Sequence, residues 1–110
     1  MKTVTLFKCL ADESRLKLVM IIHKAGEACV CDLMTALDID QPKTSRHLGD
    51  LRKCGLLKDE RRGKWVYYSL HPDLPEWAAS IIEITAKANN EILAPALKAM
   101  PTTSAIDYCR

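Results

Sequence analysis

Aromatic residues are scarce in this sequence: one Phe, two Trp and three Tyr make up 5% of its 110 residues. A surface that stacks on single-stranded bases needs several exposed rings, so that class of binder is disfavoured. No apolar run reaches the roughly 18–20 residues that span a bilayer. The opening Met1-Lys2-Thr3-Val4-Thr5-Leu6-Phe7-Lys8 has neither a long apolar centre nor a small-residue cleavage site. A secretory leader is therefore not expected, and the chain is expected to be cytoplasmic. There are five cysteines, Cys9, Cys29, Cys31, Cys54 and Cys109. Their odd number and spacing do not suit the disulfide framework of a small secreted domain. Repeats, low-complexity tracts and linkers are also missing.

What is present fits one globular domain: 48% hydrophobic and 27% charged residues. Residues 1–100 are expected to form that domain and 101–110 a poorly ordered tail. So short a chain buries little surface alone, and dimerisation would add to it. Net charge is only +2, but it is unevenly spread. Residues 41–64 hold eight basic and three acidic side chains, whereas the segments on either side are slightly acidic. A single basic stretch is what one polyanion-facing surface requires.

Periodicity divides the chain into short helices. The first runs from about Val4 to Leu10. A second runs from Asp12, an N-cap, to about Lys24, with Leu16, Val19, Met20 and His23 on one stripe, and stops at Gly26. Val30, Leu33 and Leu37 mark a third helix of two turns. Asp40 caps a fourth, with Pro42 in its first turn and Thr44, Leu48 and Leu51 facing inward, ending at Gly55. Two short helices joined by about three residues outline a helix-turn-helix. Leu56–Glu60 and Trp65–Leu70 then read as two strands joined through Arg61-Arg62-Gly63-Lys64, a β-hairpin wing. Asp73-Leu74-Pro75-Glu76 resembles a helix start, and Trp77, Ile81, Ile84, Ala88 and Ile92 give the last helix a stripe ending near Pro95. The expected fold is mainly α with a small β-hairpin, a winged helix-turn-helix in the order α-α-α-α-β-β-α, dimeric.

With Leu48 and Leu51 inward, Lys43, Arg46 and His47 turn outward, and Gln41 and Ser45 lie at the helix start and flank. Polar side chains in this arrangement suit base edges and phosphates, so Gln41, Lys43, Ser45, Arg46 and His47 are candidate contacts to double-stranded DNA. Arg61, Arg62 and Lys64 at the hairpin tip suit a phosphate or minor-groove contact.

Cys29-Val30-Cys31 is the most unusual feature. On a regular helix, side chains at i and i+2 point about 200° apart and cannot share a ligand. Chelation at this spacing needs extended or distorted backbone, which the entry to the third helix can supply. Soft thiolates select thiophilic centres such as As(III), Sb(III), Cd(II) or Zn(II). Ligation there would deform the helix start and misplace the recognition helix.

Several motifs now fall in order: Glu27-Ala28-Cys29-Val30-Cys31-Asp32-Leu33, Gln41-Pro42-Lys43-Thr44-Ser45-Arg46-His47-Leu48, Gly55-Leu56-Leu57 and Gly63-Lys64-Trp65-Val66-Tyr67-Tyr68. Together they resemble the ArsR/SmtB family, and within it the arsenical-resistance operon repressors, over about Leu6 to Ile82. The resemblance implies a homodimeric winged-helix repressor that leaves its operator when As(III) or Sb(III) binds, with the first and last helices at the dimer interface. It assigns Cys29 and Cys31 to the first two arsenic thiolates. The family's third cysteine corresponds to Met34, whose thioether cannot replace a thiolate, so the third ligand is open among Cys9, Cys54 and Cys109. A two-thiolate site also matches a methylated As(III), which has two exchangeable positions. The last helix has no His, so the zinc site of some relatives is expected to be absent.

Two alternatives use the same pair: a Cd(II)/Zn(II) sensor, or a redox switch closing Cys29 on Cys31. A thiol-dependent enzyme would need a base beside the nucleophile, and the sequence offers none, so no catalytic residue or catalytic cofactor is expected.

Overall fold

The computed structural model describes residues 1–100. The helices are α1 (Thr3–Leu10), α2 (Glu13–Ala25), α3 (Val30–Leu37), α4 (Gln41–Lys53), α5 (Glu76–Ala88) and α6 (Asn90–Ala99). The strands are β1 (Ala28–Cys29), β2 (Leu57–Arg62) and β3 (Trp65–Leu70). The winged helix-turn-helix is present, with one strand and one helix more than the sequence pattern indicates. Cys109 and the tail lie outside the described residues.

Helix α2 is the hub. The Asp12 carboxylate accepts from the Arg15 N–H at 3.0 Å and caps it, and Gly26 (φ +88°) ends it in the left-handed region that glycine tolerates. The expected single stripe is too narrow: Leu18, Val19, Met20, Ile21 and Ile22 are all buried in succession. The helix lies among α4, α5, α6 and β3, which enclose its middle turns, while Glu13, Lys24 and Ala25 near its ends are exposed and His23 is half-buried.

Helices α3 and α4 form the helix-turn-helix. Asp38 adopts a left-handed backbone (φ +53°) and the Ile39 N–H returns to the Met34 carbonyl, closing α3. Asp40 then caps α4 by accepting from the Lys43 N–H at 2.8 Å. Pro42 sits in the first turn, where its missing N–H costs no helix bond, and Thr44, Leu48 and Leu51 are fully buried.

The wing is the β2–β3 hairpin, in register from Leu57↔Leu70 to Arg62↔Trp65, with Gly63 (φ +64°) in its two-residue turn. Strand β1 adds to its other side, pairing Ala28↔Tyr68 and Cys29↔Tyr67, so the sheet order is β1-β3-β2. Two residues are too few to show a strand period, which is why this strand is hidden in the sequence.

The C-terminal segment departs most from expectation. Asp73 does not cap α5; Pro75 precedes it with no side-chain cap, and the Asp73 N–H donates instead to His71 Nδ1 at 3.1 Å. The segment breaks at Asn89, and Pro95 lies inside α6 rather than ending a helix. Three side-chain and turn bonds mark the break: Thr85 Oγ1 to Ile81 O, Asn89 Nδ2 to Thr85 O, and Asn89 N–H to Ala86 O. Pro95 removes only one backbone donor, while buried Leu93 and half-buried Ala96 and Leu97 hold α6 on the core. Of the expected stripe, Ile81 packs half-buried against the core, but the other members do not. Ala78, Ile82, Ala86 and Leu93 face inward, whereas Trp77, Ile84 and Ile92 are exposed.

Candidate functional site

Cys29 has two structural roles. Its extended backbone (φ −87°, ψ 168°) pairs with Tyr67 of the wing, and it is also the N-cap of α3. Its sulfur accepts from the N–H groups of Asp32 and Cys31, and its own N–H donates to Asp32 Oδ2 at 3.3 Å. This is a capping box built with a thiol. Burial and the neighbouring Asp32 carboxylate push the Cys29 thiol up, although the N–H groups at the helix start favour its thiolate. Asp32 is buried, and its Oδ1 has no hydrogen-bond partner. Cys31 follows in the first turn of α3, half-buried. The backbone between the two cysteines is thus a strand-to-helix transition at Cys29, not regular helix. Cys29 carries a free thiol.

The wing is joined to this segment by an ion pair as well as by the ladder. Arg62 Nη2 lies 3.0 Å from Glu27 Oε1, Arg62 Nε lies 2.6 Å from Glu60 Oε1, and the guanidinium stacks 4.6 Å from the Tyr67 ring centroid. Arg62 holds Glu27 below the usual carboxylate range. Glu27 carries no signal that sequence reasoning attaches to such a contact: its partner is 35 residues away.

The basic residues are sorted by these contacts. Gln41, Lys43 and Arg46 are exposed on α4, and Gln41 Nε2 donates to Ser45 Oγ at 3.2 Å. Lys43, Arg46, Arg61 and Lys64 make no ion pair among the described residues. Arg62, by contrast, is held by two carboxylates. His47 is half-buried, its Nδ1 has no partner, and it interacts electrostatically with Asp12. It thus lies nearer α2 than the outward face expected of it.

Cys9 and Cys54 come together. The Cys9 thiol donates to the Cys54 sulfur, and Cys54 Sγ donates to Leu51 O at 3.2 Å. No group of three or more His, Cys, Asp or Glu side chains able to hold a metal occurs among the described residues. No helix there is long and apolar enough to cross a membrane.

Comparison with known proteins agrees with this geometry. Residues 12–59 match the family described as bacterial regulatory protein, arsR family. The chain is 54% identical over 88 residues to the arsenical resistance operon repressor of Escherichia coli, covering 80% of this chain and 75% of that one. It is 49% identical over 89 residues to the arsenic resistance transcriptional regulator ArsR1 of Pseudomonas putida, covering 81% and 70%. Among solved structures it is similar to the AntR antimony-specific transcriptional repressor (TM-score 0.67, 27% identity, 80% and 77% covered). It is also similar to the homodimeric winged helix-turn-helix DNA-binding domain Mb0332 of Mycobacterium bovis (TM-score 0.65, 25% identity, 80% and 78% covered). A relative 54% identical over three quarters of its own length, with the thiol-capped helix-turn-helix and wing in place, establishes that this chain belongs to the ArsR family of bacterial regulatory proteins.

Proposed function

We propose that this protein is a homodimeric, non-enzymatic repressor of an arsenic-resistance operon in the cytoplasm, released from its operator when As(III) or Sb(III) binds Cys29 and Cys31. The observation that carries the reading is the double duty of Cys29, which is ladder partner of Tyr67 in the wing and N-cap of the helix leading into α4. Arsenite reacts with two thiols to form two As–S bonds and two waters, As(OH)3 + 2 RSH → (RS)2As(OH) + 2 H2O. Bringing both sulfurs to one arsenic removes the Cys29 cap and pulls on β1, which moves α3 and the wing relative to α4. Coupling of about 1–3 kcal/mol is enough to shift operator affinity 5–150-fold.

On the DNA side, Gln41, Lys43, Ser45 and Arg46 enter the major groove, His47 braces the helix against Asp12, and Arg61 and Lys64 reach phosphate. Arg62 acts through the wing, because its guanidinium is already engaged by Glu27 and Glu60. The exposed apolar side chains Val4 and Phe7 on α1 and Trp77, Ile84 and Ile92 on α5 and α6 form the dimer interface. The names of the relatives in Escherichia coli and Pseudomonas putida, and of the antimony-specific neighbour, support the metalloid signal.

A second reading is a thiol-redox repressor that closes Cys29 on Cys31, two positions on in the same strand-to-helix transition. Operator fluorescence anisotropy separates the two. Reduced protein titrated with arsenite releases DNA under the first reading. Release by oxidant alone, with arsenite inert, overturns it.

A further inference from the structure

Asp32, in the first turn of α3, is a buried acidic side chain with an unfilled valence. It is only 6% exposed, and no Lys, Arg or His forms an ion pair with it among the described residues. One carboxyl oxygen, Oδ2, accepts from the Cys29 N–H at 3.3 Å, whereas the other, Oδ1, is buried with no hydrogen-bond partner. Burying a carboxylate oxygen without a donor is costly, which makes Oδ1 a place to look for an incoming one. It lies against the thiols. The Cys29 sulfur accepts from the Asp32 N–H while the Asp32 carboxyl accepts from the Cys29 N–H, so the two side chains face each other across one turn. Cys31 immediately precedes Asp32 in that turn.

We propose, on the reading of Cys29 and Cys31 as the metalloid site, that Asp32 determines which arsenical it takes. Oδ1 accepts a hydrogen bond from the hydroxyl that inorganic arsenite keeps, and so favours arsenite over methylated As(III). No third Cys, His, Asp or Glu completes a ligating group there among the described residues, so an arsenic bound through both thiols retains its third substituent. Arsenite gives As(OH)3 + 2 RSH → (RS)2AsOH + 2 H2O, and methylarsenite gives CH3As(OH)2 + 2 RSH → (RS)2AsCH3 + 2 H2O. The retained hydroxyl is a donor one bond beyond arsenic, within reach of a carboxylate that is not itself a ligand. The methyl group offers no donor and leaves Oδ1 unpaired. Meanwhile the Oδ2 bond to the Cys29 N–H holds the carboxyl in place as the Cys29 sulfur exchanges its own hydrogen bonds for arsenic. A hydrogen bond to a charged group corresponds to a preference of about 10–100-fold.

The test is operator release by the reduced full chain, read as the ratio of methylarsenite to arsenite concentration that frees half the DNA. Comparing this ratio between variant and wild type cancels the intrinsic thiol affinity of each arsenical. It also cancels a general loosening of α3, which a merely structural Asp32 would cause equally for both. Asp32→Ala is expected to lower the ratio about tenfold or more. Asp32→Asn keeps an acceptor for the Cys29 N–H but loses the charge, and is expected to lower it about threefold or more. The Asn variant decides the matter if the Ala variant fails to bind operator. X-ray absorption at the arsenic edge of the arsenite-loaded wild type should show two sulfur neighbours and one oxygen. A ratio unchanged in the folded variants would overturn the proposal, as would three sulfur neighbours. In either case release by arsenite would leave the assignment of Cys29 and Cys31 standing. A wild type that neither arsenical releases would overturn that site and the role of Asp32 together.

Discussion

Helix α4 and the α5–α6 segment carry apolar stripes of similar regularity and dispose of them in opposite ways. On α4 the stripe Thr44, Leu48 and Leu51 is closed off within the chain, each side chain fully buried. On the terminal helices the stripe that periodicity selects is left outside except at half-buried Ile81, with Ile84 67% and Ile92 53% exposed, while a second stripe through Ala78, Ile82, Ala86 and Leu93 packs inward. Periodicity reports that a face is apolar; it does not report whose surface covers it. Stability therefore has two sources: burial within a single chain at α4 and, on the proposed reading, burial against a second copy at the terminal helices.

The sharpest way to break this comparison is in α4. Leu51→Ala should cost about 2–5 kcal/mol of unfolding free energy, through lost transfer energy and the cavity left behind. In urea titrations the loss should be the same at every protein concentration. Ile84→Glu should behave differently: each chain keeps its helical circular dichroism, while sedimentation shows dissociation to monomer and operator affinity falls. Its cost to dimer stability should be about 2–4 kcal/mol, as for a central interface residue. A dimer undisturbed by this charge would show that the exposed stripe has another use.

Asp40→Ala probes the start of α4 without touching its core. Losing the cap on the Lys43 N–H should cost about 0.5–2 kcal/mol in thermal or denaturant unfolding.

The smallest effect concerns the wing tie. Glu27 is held below the usual carboxylate range by Arg62, so their contribution is fully present above the ordinary carboxylate pKa and is lost as pH falls through the lowered folded value. Glu27→Gln should flatten that acid-side dependence in unfolding titrations and change neutral-pH stability little, as exposed pairs do. If the tie also relays the signal, the variant should need more arsenite for release.

What was legible in the sequence follows the same division. Local signals survived intact: the Asp12 and Asp40 caps, the glycine stop at Gly26, the inward trio of α4 and the Gly63 turn each depend on neighbours a few residues away. The departure from regular helix at Cys29 was legible too, because cysteines at i and i+2 can share a ligand only off a regular helix. The β1 strand, the Glu27–Arg62 tie and the Cys9–Cys54 contact were not, since each joins residues 35 or more apart and leaves no period or motif behind. Pro95 misled for a physical reason: a proline costs a helix one donor, and packing of Leu93, Ala96 and Leu97 outweighed that loss.

The metalloid and metal-ion readings of Cys29 and Cys31 separate by proton balance. Neutral arsenite exchanges hydroxide for thiol with no net proton release, whereas Cd(II) must displace two protons, one of them from the Cys29 thiol that burial pushes up. Arsenite potency should therefore be nearly flat between about pH 6 and 8, with Cd(II) binding strengthening steeply over the same range.

The most direct test of the central claim is operator anisotropy with reduced wild type, Cys29→Ser and Cys31→Ser, each titrated with arsenite. All three should bind the DNA upstream of the gene with similar affinity. Wild type should release it, and both variants should hold it at arsenite concentrations at least about tenfold higher. Release of either serine variant at the wild-type concentration would contradict the assignment of the signal to this pair.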